Sequence, residues 1–220
     1  MLKADKYMKE SIHNILNNGC TMKNPVSFYD DGSPASTLFV SGAVHIYDIS
    51  KDEFPITTLR PITIDKAIGE ILWIYQDQSN DLDLLKNKYG ISWWDKWAIK
   101  GTHNIGQVYG KTVHDHDLMN VLLDDIINYP YERRHIINLW QVEDFKKPHG
   151  LKPCCYQTQF VVRDEYLDMI LYQRSSDWCT AGSINQMQYV AFQMMVSKHC
   201  GYEPGTFTHV MANQHIYDRH

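Results

Sequence analysis

Between Leu151 and Asn185 the chain gathers a thiol, a guanidinium, a hydroxyl and a carboxamide in one short stretch. Pro153-Cys154-Cys155 stands near its start. Gln173-Arg174-Ser175-Ser176-Asp177 follows two apolar-alternating runs, and Ser183-Ile184-Asn185 opens a helical pattern. A thiol attacks as thiolate, and an arginine beside it favours the charged form. Arginine followed by serine also suits a phosphate, the guanidinium pairing in a fork and the hydroxyl adding a further hydrogen bond. A carboxamide carries donor and acceptor together, so it can read a base edge that offers both. The set points to a cysteine nucleophile working on a nucleoside monophosphate. The competing reading is packing, since free cysteine is among the most buried residue types.

The rest of the chain has to position those groups. Its 220 residues are enough for one domain with a sizeable core, and 44% hydrophobic with 21% charged residues is ordinary for a globular protein. A formal net charge of −5 argues against general nucleic-acid binding but leaves room for a local basic pocket built from Arg133, Arg134 and Arg174. No apolar run approaches the ~18 residues of a membrane span, and Met1 to Asp5 lack a signal-peptide pattern, so a cytoplasmic protein is expected. Five cysteines without a regular framework fit reduced thiols. No metal site is expected: His114-Asp115-His116-Asp117 reads as the end of a polar loop, with Asp117 capping the next helix.

Helical spacing runs over residues 2–18, where Gly19 fits the position that ends a helix. Asn24-Pro25 and Asp30 to Pro34 are turn chemistry. Leu38–Tyr47 reads as a strand with a hairpin or bulge at Ser41-Gly42, and Phe54–Arg60 as a short extended piece. Thr63 caps a helix with Ile64, Ile68, Ile71, Leu72 and Tyr75 on its apolar side. Glu70, beside that stripe, is either solvated or buried with raised pKa and suited to proton transfer. Trp93, Trp94 and Trp97 are too many for one helical stripe, so some should face a cleft and stack on a flat ligand. Gly106 and Gly110 bracket Tyr109 in a loop whose glycines permit close backbone approach to a ligand.

A helix over about Leu118–Asn128 stops before Pro130, and Glu132-Arg133-Arg134-His135 leads into a strand at Ile136–Trp140. Strands at Tyr156–Val162 and Leu167–Tyr172 join through Arg163-Asp164-Glu165. A helix then carries Ile184, Met187, Gln188, Ala191, Met194 and Met195, its methionines read as core filler. A strand at Thr206–Met211 and the trio His215-Ile216-Tyr217 close the chain. The pattern predicts an α+β single domain.

Several of these runs, in this order, resemble the thymidylate synthase family. The resemblance rests on Pro153-Cys154, Tyr172 to Asp177, Asn185, Gly69-Glu70-Ile71-Leu72-Trp73, Trp94-Asp95-x-Trp97, Gly106 to Gly110, Arg133-Arg134 and His215-x-Tyr217. It implies a mixed β-sheet with helices packed on one face, the other face forming a homodimer interface. It further implies transfer of a one-carbon unit from 5,10-methylenetetrahydrofolate to carbon 5 of dUMP, giving dTMP and dihydrofolate.

By that resemblance Cys154 adds to carbon 6 of the uracil, Glu70 organises proton transfer and Tyr109 serves removal of the carbon 5 proton. Gln173, Arg174 and Ser175 belong to the nucleotide site, the last two on the phosphate together with Arg133 and Arg134 of a partner chain. Asn185 pairs with the uracil edge, and His215 and Tyr217 hold the 3′-hydroxyl. Arg60, Trp94, Trp97 and Asp177 belong to the folate side.

The chain departs from the family pattern at four places. Cys155 stands where the family often has His, and Thr180 to Ile184 replace a run that shapes the folate pocket. Lys23 alone approximates an N-terminal phosphate arginine. The sequence ends at His220, before the family's usual C-terminal extension, so a weaker folate half with poor hydride transfer is expected. A hydroxymethylase of the same superfamily, with water resolving the intermediate, and a nucleotide-binding homologue without turnover are the alternative readings.

Overall fold

The computed structural model describes residues 1–23, 25 and 27–220; Asn24, half of one expected turn, lies outside the described residues. Helix α1 (Lys3–Asn18) leads to β1 (Cys20–Thr21) and the long β2 (Thr37–Asp48). Four helices follow: α2 (Ile64–Tyr75), α3 (Leu82–Tyr89), α4 (Gly110–Asp115) and α5 (Leu118–Asn128). Next come β3 (Ile136–Asn138), β4 (Cys155–Arg163), β5 (Tyr166–Gln173) and β6 (Ser176–Asp177), then α6 (Ser183–Cys200) and β7 (Glu203–Tyr217). The strands form one sheet in the order β1-β2-β7-β5-β4-β3, with β6 pairing β7. Pairing is antiparallel except that β5 and β6 run parallel to β7. The mixed sheet expected from the resemblance is present.

Burial along the strands has period two, as a pleated strand requires. Leu167, Met169, Leu171 and Gln173 of β5 and Phe207, His209 and Met211 of β7 point to one buried face. Helix α6 packs on that face against β5 and β7, and α2 packs on α6. Fully burying side chains such as Phe160, Leu171 and Phe207 stabilises by about 1.5–3 kcal/mol each. On the opposite face the register aligns Ile46, Thr208, Ile170, Gln159 and Ile136 in one row across five strands. Ile46, Val44, Ile136 and Val161 on that side remain exposed.

Several local expectations change. Neither Thr63 nor Asp117 accepts a backbone N–H as a cap; Asp117 instead accepts from the Asn120 side chain at 2.7 Å. Gly19 has φ −71°, so it is not a left-handed helix stop. A Cβ there would lie 2.3 Å from the Ile15 carbonyl oxygen, and close packing is what requires the glycine. Strand β2 runs straight through Ser41-Gly42 without hairpin or register shift, Gly42 taking φ +73°. Strand β7 is far longer than expected and absorbs His215 to Tyr217. Of the methionines read as core filler, Met187 is buried, but Met194 and Met195 are exposed.

Candidate active site

Helix α2, the Trp93–Trp97 turn, the start of β4 and the first turns of α6 converge on a cavity of about 360 Å³. Glu70, Trp94, Trp97, Tyr109, Cys154 and Asn185 all line it. Glu70 is 8% exposed, so the buried reading is correct, and its Oε2 accepts from the Trp93 indole at 2.5 Å. Burial pushes its pKa up, since a carboxylate loses hydration there, and the Trp93 hydrogen bond opposes the shift. The buried indole N–H of Trp94 finds no partner among the described residues. Trp94 also meets Tyr109 edge to face at 4.9 Å, which builds an aromatic wall.

Tyr109 takes φ +49°, a strained conformation for a side chain of its size. Its hydroxyl accepts the Cys154 backbone N–H at 3.1 Å. Packing within the chain already requires both flanking glycines. A Cβ on Gly106 would sit 2.3 Å from the Pro148 carbonyl oxygen, and one on Gly110 2.1 Å from that of Ser79.

Arg174 ties the Lys152–Cys154 segment together. Its Nε and Nη2 donate to the carbonyls of Pro153 and Lys152 at 2.9 and 2.8 Å, and Nη2 lies 3.6 Å from Cys154 Sγ. Burial raises the Cys154 pKa and the Arg174 charge opposes that rise. Cys155 is 5% exposed and its pKa is pushed well up, chiefly by burial. The two adjacent thiols thus differ: one is partly buried beside a guanidinium, the other fully buried in the core.

Asn185 is held on both sides. Its Oδ1 accepts from Gln173 Nε2 at 3.1 Å and its Nδ2 donates to Gln188 Oε1 at 2.9 Å. Gln188 lines the cavity, as do Lys96, Leu151 and Tyr189, none of them expected there from the sequence; all three tryptophans Trp93, Trp94 and Trp97 face it. The signal available for Gln188 was its place one helical turn beyond Asn185.

Other expected residues lie off the cavity wall. His215 is buried, its Nδ1 within 2.8 Å of Asn213 Oδ1, and it stands edge to face with Tyr217. Asp177 accepts from the Thr180 backbone N–H and hydroxyl, and Arg60 donates to the Cys179 carbonyl. Ser175 contributes its carbonyl to Gln173. Arg133 and Arg134 are exposed, with Arg134 3.1 Å from Glu132, and neither reaches the cavity of its own chain.

The His114–Asp117 run is split between partners: His114 and Lys111 on Asp115, His116 on Asp144. Among the described residues no group of three His, Cys, Asp or Glu side chains could hold a metal ion. Nor is any described helix long and apolar enough to cross a membrane.

The family model for thymidylate synthase matches residues 6–220. The chain belongs to that family. It is 49% identical to the thymidylate synthase of Lactococcus lactis subsp. lactis over 223 residues, which cover 99% of this chain and 80% of the relative. The thymidylate synthase of Streptococcus gordonii is also 49% identical, over 222 residues with the same coverage. A solved structure, thermostable thymidylate synthase A from Bacillus subtilis, superposes with TM-score 0.91 at 32% identity, covering 99% of this chain and 80% of that one. Within the thymidylate synthase frame the departures now have places. Thr180, Ala181 and Ile184 form part of the cavity wall, Cys155 lies in its floor, and Lys23 is exposed.

Proposed function

We propose that this chain methylates dUMP at carbon 5 with 5,10-methylenetetrahydrofolate as co-substrate, giving dTMP and dihydrofolate, and that Cys154 is the nucleophile. The activity is that of the family to which the chain belongs. The observation that supports the residue assignment is the partly buried Cys154 thiol 3.6 Å from the Arg174 guanidinium, in one cavity with Glu70, Tyr109 and Asn185.

Cys154, as thiolate, adds to carbon 6 of the uracil and sends the ring electrons to carbon 5 and O4. Among the described residues Asn185 keeps one N–H and one lone pair free of protein partners, which match O4 and N3–H of uracil. Glu70, with its raised pKa, moves protons at the pyrimidine, and Tyr109 serves departure of the carbon 5 proton. Expulsion of Cys154 then restores the ring. The reduced folate supplies the one-carbon unit and the hydride. The wall of Trp94 and Trp97 fits a flat heteroaromatic ring, with Arg60 and Asp177 on the folate side.

Arg174 and Ser175 hold the phosphate in this reading, Gln173 supports the base reader, and His215 and Tyr217 take the 3′-hydroxyl. Arg133 and Arg134 complete the phosphate site of a second copy. Their exposure away from the cavity and the exposed apolar side chains Val44, Ile46, Ile136 and Val161 on the open sheet face support a symmetric homodimer.

Incubation with dUMP and methylenetetrahydrofolate should yield dTMP and dihydrofolate in equal amounts, followed by chromatography and absorbance. Formation of 5-hydroxymethyl-dUMP, or no product, would overturn the assignment. The hydroxymethylase reading is not favoured, because the relatives at 49% identity carry the synthase name.

A further inference from the structure

A chain of polar side chains crosses the interior from α1 to the candidate site. Gln186 on α6, adjacent to Asn185, places its Nε2 2.9 Å from Nδ1 of His45 and 3.1 Å from Nδ1 of His209. Its Oε1 accepts from the Tyr47 hydroxyl at 3.1 Å. Burial lowers both histidines, to about 4 and about 3, so they are neutral. A neutral imidazole whose Nδ1 accepts a hydrogen bond carries its proton on Nε2. His45 therefore donates to Ser11 Oγ at 3.1 Å, and His209 donates to Gln173 Oε1 at 2.7 Å. With its oxygen so occupied, Gln173 turns Nε2 the other way and donates to the Ser175 carbonyl at 2.9 Å and to Asn185 Oδ1 at 3.1 Å.

We infer that Gln186 and His209, acting through Gln173, fix which way round the Asn185 carboxamide stands and thereby make the site choose uracil over cytosine. The inference rests on the proposal that Asn185 reads the base. Uracil presents an N3–H donor and an O4 acceptor. Cytosine presents the inverse, an N3 acceptor and an N4 donor. A carboxamide rotated by half a turn inverts its own pattern, so an unrestrained asparagine would serve either base. Here rotation would set Nδ2 against the Gln173 amide nitrogen and Oδ1 against Gln188 Oε1, two mismatched contacts within the protein. Gln186 and His209 are thus positioning residues for specificity.

The test is the ratio of dCMP to dUMP dissociation constants, both measured by calorimetry on the same folded preparation. His209→Gln keeps a donor that can reach Gln173 and should hold the ratio within about threefold of the parent. His209→Met removes that donor and should lower the ratio by about tenfold or more, mainly through tighter dCMP binding. Gln186→Met frees the His209 tautomer and should shift the ratio in the same direction by a smaller factor. Equal weakening of both nucleotides, or an unchanged ratio in both Met variants, would overturn the inference. Asn185→Asp separates the two levels. If it moves the ratio while the Met variants do not, the reader stands and its control from Gln186 and His209 falls. If Asn185→Asp leaves the ratio alone, Asn185 does not read the base and both fall.

Discussion

Asn185 is gripped from two sides by amides of its own chain, whereas Arg133 and Arg134 stand in solvent, Arg134 paired with Glu132. On one side of Asn185 the partner is itself held, back through Gln173 and His209 to Gln186. A buried polar group without a partner costs roughly 1–3 kcal/mol, so such a network specifies one arrangement. The arginines have no such restraint, and an exposed ion pair contributes little. On the proposed roles, the contrast places selection of the base within one chain and leaves the phosphate end for a second chain to complete.

The sharpest way to break that division is at the proposed nucleophile, which lies on the self-sufficient side. Cys154→Ser should abolish the covalent adduct with 5-fluoro-dUMP and lower turnover by at least about 10³-fold. Cys155→Ser should retain the adduct, because its thiol lies in the core. Peptide mapping by mass spectrometry checks both, and an adduct on Cys155 would reverse the assignment.

A smaller effect is expected at the arginines. Arg133→Ala with Arg134→Ala should raise KM for dUMP by about 10- to 100-fold, the loss of one or two charge-assisted hydrogen bonds. Mixing that chain with Cys154→Ser chains should restore part of the activity through a hybrid site. No recovery despite proven heterodimers, or sedimentation of the parent as a monomer, would place the phosphate end within one chain after all.

The smallest effect tests the cost of a buried carboxylate in the interior. The folded pKa of Glu70 lies above its ordinary 4.5. The folded state therefore binds the proton more tightly than the unfolded one, and stability falls as pH rises from about 4.5 through the folded pKa. Glu70→Gln removes that cost, so Tm should rise by about 2–4 °C at pH 8, the gain shrinking towards pH 5. A variant less stable than the parent at pH 8 would mean that the Trp93 hydrogen bond outweighs desolvation.

Much of the architecture could be read from the chain. Period-two runs located β4 and β5, and apolar stripes located α2 and α5, because those patterns follow from strand and helix geometry. Helix ends were less legible. Thr63 and Asp117 are good capping types, yet neither side chain bonds a backbone N–H, and Gly19 answers to close packing rather than backbone sign. The methionines misled for a related reason: periodicity does not say which neighbour covers a helix face, and Met194 and Met195 lie on an uncovered one.

The sequence by itself determined which groups are candidates for the proposed site, from Pro153-Cys154 and Gln173-Arg174-Ser175 to Glu70, Tyr109 and Asn185, because residue type limits what chemistry a group can do. It also determined the family, through the order of those motifs. Tertiary structure alone decided which of two adjacent thiols borders a guanidinium, that Glu70 is buried, and that Gln188 and Trp93 belong to the cavity. It alone joined Gln186 to residues on β2 and β7 far away in the chain. The physical reason is that pKa and hydrogen-bond direction depend on desolvation and on neighbours in space, and those neighbours are set by how the strands register and the helices pack.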